Sequence, residues 1–212
     1  MLSYSIDEFI IVLENYNLAI WPLQILVYIL IGIALFFSFK STKYAPKIVL
    51  SVLAFLWLFN GIIFCFLFWA SSHIFGYIFG VFCILQGILF IYSIKRSDIT
   101  IRYPNKTFTI IGILFVIYAT VGYQAFGYFL GHIYPAFFPA GLVPCPTTIL
   151  TFGIFLIINN IPIKYYVIPL MISLGGFIVV YYGIYEDVGL IISGILGTIL
   201  LIRKDIQLRK EI

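Results

Sequence analysis

The chain has 212 residues, 63% of them hydrophobic and 9% charged. Soluble domains carry roughly 25% charged residues, so this chain cannot cover a water-facing surface with charge, which excludes an ordinary soluble enzyme and a disordered chain. The 12 Lys and Arg are scattered over short segments and form no basic face for nucleic acid, and the 3 Cys are too few for a disulfide scaffold.

What remains is a polytopic membrane protein. Ser5-Ile6-Asp7-Glu8 reads as a capping box that opens a short helix within residues 1–17. Phe9, Val12, Leu13 and Tyr16 share one side of it, as in an amphipathic helix lying at a membrane interface. No basic segment precedes it, so it does not read as a signal peptide. Pro22 then suits the start of a first span.

A crossing needs about 20 apolar residues. Seven apolar runs follow: Ala19–Phe39, Ile48–Ala70, Ile74–Ile94, Phe108–Leu130, Thr147–Ile161, Tyr165–Ile184 and Val188–Ile202. The fifth and seventh are short, so thinned bilayer or flanking residues must complete them. None alternates as the strands of a membrane barrel do. Lys40, Lys43 and Lys47, then Lys95, Arg96, Arg102 and Lys106, then Lys164, then Arg203, Lys204, Arg209 and Lys210 fall on one side of a seven-span chain. Asp7, Glu8, Glu14, Glu186 and Asp187 fall on the other. Basic loops stay cytoplasmic. The expectation is an all-α bundle of seven transmembrane helices in one membrane domain. Its N-terminus is outside and its C-terminus inside, in the cytoplasmic membrane of a bacterium.

The spans lack ionisable residues at mid-depth, which argues against proton relays, ion-coupled carriers and hydrolase sites there. Their polar groups are amides and hydroxyls. Asn60 and Gln86 lie at depths that differ by about 3 Å on helices joined by a short turn, so a hydrogen bond between them is expected. Structural glue is the plain role of such a pair; lining a cavity is the functional one. Asn17, Gln24, Gln124, Thr147, Thr148 and Thr151 concentrate in the outer half. That bias suggests helices splayed around an outward-facing cavity. Gly76 with Gly80, Gly127 with Gly131, and Gly189, Ser193 and Gly197 have the small-xxx-small spacing of close helix packing within the chain.

Gly131–Pro146 is the longest connection and carries the unusual chemistry: four of the nine prolines, with His132, Tyr134 and Cys145. Pro146 suits the first helical position of span five, with Cys145 as its N-cap and Thr147 and Thr148 in the first turn. Free N–H groups and the positive dipole end there suit an anion or a carbonyl, and would favour a Cys145 thiolate. His132 and His73 lie on the same side, so the three make a weak metal set, too sparse for a metal centre to be expected. Glu186 and Asp187 are explained as acids at a helix start.

These motifs resemble an uncharacterised family of small polytopic bacterial membrane proteins, a domain of unknown function, over nearly the whole chain. The resemblance rests on Tyr16-Asn17-Leu18-Ala19-Ile20-Trp21-Pro22-Leu23-Gln24, on Gly131-His132 with Tyr134-Pro135, and on Glu186-Asp187-Val188-Gly189-Leu190. Its most specific element is Pro144-Cys145-Pro146-Thr147-Thr148-Ile149 followed by Thr151-Phe152-Gly153. Some members are labelled permeases; the resemblance implies the topology and assigns no substrate. The sequence therefore predicts a non-enzymatic protein without a cofactor that binds or transports a small solute from outside. The residues singled out for the ligand are His132, Tyr134, Cys145, Thr147, Thr148, Asn60 and Gln86. The lipid bilayer is the expected partner, together with a small-molecule ligand. The alternatives are a non-transporting subunit held by another membrane protein, and a thiol- or metal-handling protein.

Overall fold

The computed structural model describes residues 6–97, 99–101, 106–158 and 161–210, and every regular element in them is helical. Ser5 of the expected capping box and Arg102 lie outside these residues. Helix α1 (Ile6–Ala19) buries Phe9, Val12, Leu13 and Tyr16, the side read from its spacing, together with Asn17. The chain bends by 85° at Pro22 into α2 (Leu23–Ser38). Then come α3 (Ala45–Trp69), α4 (Ile74–Arg96) and α5 (Lys106–Phe129). After an irregular segment follow α6 (Pro144–Ile157), α7 (Val167–Tyr181) and α8 (Asp187–Lys210).

By length and composition α3, α4 and α5 suffice to cross a membrane, and α1 with α2 makes a fourth if the bent pair counts as one span. Helices α6 and α7 are apolar but only 14 and 15 residues long. The seventh run is longer than its apolar core, because α8 extends to 24 residues through Arg203 and Lys204. Large apolar side chains also face outward, among them Ile29 on α2, Leu114 on α5 and Ile192 on α8.

The short α6 is the axis of the molecule. It packs against α2, α3, α5, α7 and α8, and Cys145 is its one residue that is not buried. A helix that is apolar all round belongs in a core. Thinned bilayer is therefore unnecessary for this segment: protein surrounds it, so its 14 residues need not match a lipid thickness. Contact with α5 is backbone to backbone. A Cβ on Gly112 would stand 2.6 Å from the Gly153 oxygen, and one on Gly153 would stand 2.8 Å from the Gly112 oxygen.

The small-residue spacings serve packing inside the chain. A Cβ on Gly80 would meet the Phe66 ring, and one on Gly197 the Phe152 ring. Gly131 differs: nothing lies near it, and its φ of +94° is the reason for glycine.

Two helices contain π-turns, Asn60–Trp69 in α3 and Tyr118–Gly122 in α5. In the second, the Tyr123 N–H reaches back to the Tyr118 oxygen. An i to i+5 bond stacks residues five apart on one side, as an α-helix stacks residues four apart. Tyr118 and Tyr123 thus share a side, with ring centroids 6.1 Å apart.

Candidate functional site

The segment 130–143 folds back onto the end of the bundle and is buried from Phe138 to Val143. Its backbone carbonyls forgo water and need donors. Side chains on three helices supply them. The Asn17 amide donates to the Pro135 and Phe137 oxygens at 2.6 and 2.7 Å. Gln124 donates to the Phe138 oxygen at 2.8 Å, the Tyr16 hydroxyl to Leu142 at 2.6 Å, and Asn60 to Gly141 at 2.8 Å. Gln24 in turn donates to the Asn17 side chain at 3.2 Å. Asn17, Gln24 and Gln124, expected around an outward-facing cavity, are joined instead in a network that holds this loop.

The expected Asn60–Gln86 pair does not form. Asn60 also donates to its own helix at Leu56, 2.7 Å away, while Gln86 donates to the Tyr165 oxygen at 2.8 Å. Each amide satisfies backbone that flanks α6, Asn60 in the loop before it and Gln86 in the 3-10 turn Ile163–Tyr165 after it. Both act as structural glue, with loops rather than each other as partners.

Helix α6 starts two residues earlier than read. Pro144 occupies its first turn, Val143 is the N-cap without a side-chain bond, and Cys145 lies inside the helix. The first-turn N–H groups of a helix lack partners. Pro144 and Pro146 carry none, and the Thr147 N–H bonds the Val143 oxygen. The Pro-Cys-Pro sequence thus leaves the Cys145 N–H as the one free donor of the first three positions, a poor anion site, and lets the helix begin in a buried place. The hydroxyls of Thr147, Thr148 and Thr151 each donate to the carbonyl one turn earlier, at 2.7 to 2.8 Å. Thr151 also accepts from the Trp57 indole at 2.9 Å.

Beside this helix start lies a buried acidic cluster. Glu186 and Asp187 are fully buried. The His132 Nδ1 stands 2.5 Å from one Glu186 oxygen, an ion pair when the imidazole is protonated. A Cβ on Gly127 would stand 2.7 Å from that oxygen, so the glycine makes room for the pair. Tyr123 donates to one Asp187 oxygen, and the Cys145 thiol interacts with the same carboxylate. Tyr118 lies over Gly189 and donates to the Glu186 backbone oxygen at 2.9 Å. The second oxygens, Glu186 Oε2 and Asp187 Oδ2, have no partner among the described residues. Cys145 is half-buried, and the charged groups near its sulfur are the carboxyls of Asp187 and Glu186 rather than cations, which removes the basis for a thiolate there.

Cys145 also borders an apolar cavity of about 50 Å³ between α1, α3, α4 and α7. Phe9, Phe64, Trp69, Phe79 and Val179 form much of its wall, and Pro144 and Phe138 close the side toward the loop. Of the residues singled out from sequence, Cys145 reaches this cavity. His132 belongs to the acidic cluster, and Tyr134 is exposed, with its ring 5.7 Å from that of Phe137. His73 is elsewhere, capping α4 by accepting from the Phe75 N–H at 3.2 Å. The three weak metal candidates therefore do not converge. No group of three or more His, Cys, Asp or Glu could hold a metal ion among the described residues.

Sequence reasoning missed two roles. Glu186 and Asp187 are more than acids at a helix start, because partners from α5, α6 and the loop converge on them. Lys204 was read as a marker of topology. It is buried, and its ammonium donates to the oxygens of Leu156 and Ile158 at 2.8 and 2.5 Å, at the end of α6. A Lys two positions past an apolar run, after Arg203, is the one signal that could have pointed to it.

Fold and site together define an all-helical protein with helices apolar enough to span a membrane. The chain belongs to a family of unknown function, DUF6064, whose model matches residues 6–211. Neither a curated protein nor a solved structure matches it.

Proposed function

We propose that this protein is a seven-span protein of a bacterial cytoplasmic membrane that binds a small, mainly apolar solute in an outward-facing pocket beside Cys145. Helices α2 to α8 are the spans, and α1 lies along the outer interface. The arrangement of charge supports this reading. Lys204 meets the end of α6, Lys164 and Arg96 share the ring of Tyr92, and the Glu186–Asp187 cluster lies at the opposite end. With cytoplasmic lysines, the cluster and the pocket face outward.

The observation that carries the binding role is the cavity itself: an aromatic and aliphatic wall with one thiol, set against the start of the central helix. Such a wall suits a small apolar group of a few heavy atoms, which is all that about 50 Å³ admits, and offers little to a charged solute. Binding is favoured over transport because α6 closes the way inward. It is buried throughout its lower turns, and its threonine hydroxyls bond its own carbonyls.

Trp69 in the wall supplies the test. Purified protein in nanodiscs, in a Trp21→Phe background, is titrated with xenon, a small apolar heavy-atom quencher of indole fluorescence, with Trp57, which does not line the cavity, as a constant background. The reading requires a saturable quench that Val179→Phe, by filling the cavity, abolishes. A linear quench identical in both proteins would show mere partitioning into lipid and would remove the proposal.

A further inference from the structure

A second cleft lies at the other end of the bundle, away from the Cys145 pocket. It has a volume of about 350 Å³ and opens between the start of α3 and the chain that leaves α4. Lys43 and Lys47 stand on one edge with Ser41 and Thr42, and Thr100 stands on the other. All five are exposed.

Ser97 ends α4 in the left-handed region, with φ of 53°. Beyond it Ile99 and Ile101 are buried, and Thr100 between them is exposed. The two isoleucines and Leu50 form an apolar floor beneath a rim of ammonium and hydroxyl groups. The start of α3 adds the positive end of its dipole on the lysine side. Lys43 in the turn before α3 and Lys47 in its first turn both line the cleft, so an anion there meets two positive charges. None of the described residues that line the cleft is acidic.

We propose that this cleft binds a phosphate group, for which an anionic phospholipid of the adjacent leaflet is the source its position favours. Lys43 and Lys47 pair with the phosphate, the hydroxyls of Ser41, Thr42 and Thr100 donate to its oxygens, and the apolar floor takes the first carbons of the attached glycerol and chains. Free phosphate offers the same anion without the apolar part. A basic site of this kind gains about 1 kcal/mol per lysine near an anionic membrane surface, which corresponds to roughly fivefold in affinity.

The experiment uses the full chain in detergent, with bound lipid counted by native mass spectrometry as phosphatidylglycerol or phosphatidylcholine is added. The proposal expects preference for phosphatidylglycerol, a loss of more than about tenfold in the Lys43→Gln/Lys47→Gln variant, and no change in Lys95→Gln. Displacement of the lipid by millimolar inorganic phosphate would support the site with the free anion as its source; resistance to it would support the lipid. Equal binding of the two lipids would overturn the proposal, as would equal losses in Lys95→Gln and the double variant. The substituted side chains are exposed, and an unchanged melting temperature shows that each variant is folded.

Discussion

Asp187 and Lys204 lie near the two ends of α8, and each meets an end of α6: Asp187 interacts with Cys145 in the first turn, and Lys204 donates to the Leu156 and Ile158 oxygens at the last. Their separation along α8 is about 25 Å, and α6 is about 21 Å long at the same rise. The two helices therefore run in the same direction. Parallel neighbours bring like dipole ends together, which is unfavourable at each end. The acid beside the N-termini and the amine beside the C-terminus, when ionised, offset this with charges of the appropriate sign. The arrangement also explains how a buried helix can end: three carbonyls receive one ammonium instead of water.

Removing that ammonium should be costly. Lys204→Met keeps much of the volume and leaves the carbonyls unpaired in an apolar place. Unpaired buried acceptors cost about 1–3 kcal/mol each, so a loss of about 2 kcal/mol or more is expected in detergent, read by thermal or denaturant unfolding. Lys204→Arg should recover part of it. An unchanged stability in Lys204→Met would mean that water reaches the end of α6.

The His132–Glu186 contact should show coupling. His132→Ala leaves a buried carboxylate with neither oxygen paired to a side chain, and should destabilise by about 1–3 kcal/mol. In the Glu186→Gln background the same substitution should cost much less, because no charge is stranded. A double-mutant cycle with a coupling energy near zero would show that the contact contributes nothing to stability.

The α5–α6 contact sets a steric limit. Gly153→Val places a side chain where a Cβ alone would be 2.8 Å from the Gly112 oxygen. Overpacking at such a site costs about 1–3 kcal/mol. Gly131→Ala probes a different cause, its left-handed backbone, and should loosen the loop while leaving the helix contact intact. Melting temperature for the first, and protease sensitivity within 130–143 for the second, separate the two effects.

Asn60 should hold the loop and not α4. Asn60→Leu removes the donor to the Gly141 oxygen and should make the segment 130–143 cleavable at lower protease concentration, with a stability loss of about 1–3 kcal/mol. Gln86→Leu should leave that segment protected, because its partner is Tyr165. Identical loop cleavage in the two variants would contradict the separate roles.

The sequence by itself determined the all-helical class, the side of α1 that is buried, and the start of α2 after Pro22. Apolar period, turn residues and proline chemistry are local properties, and each can be read within a few turns of chain. It also directed attention to Cys145 and to the connection around it. Tertiary structure decided the partners. Asn60 and Gln86 looked paired by depth, yet depth says nothing about which irregular carbonyls fold back within reach. Span five looked short for a lipid environment, because a linear chain does not reveal that five other helices surround it. Tyr118 and Tyr123 meet Glu186 and Asp187 through a π-turn, a wider winding that five residues of sequence do not announce. Charge pairing across α6, α8 and the loop depends on positions far apart in the chain, and only folding brings those together.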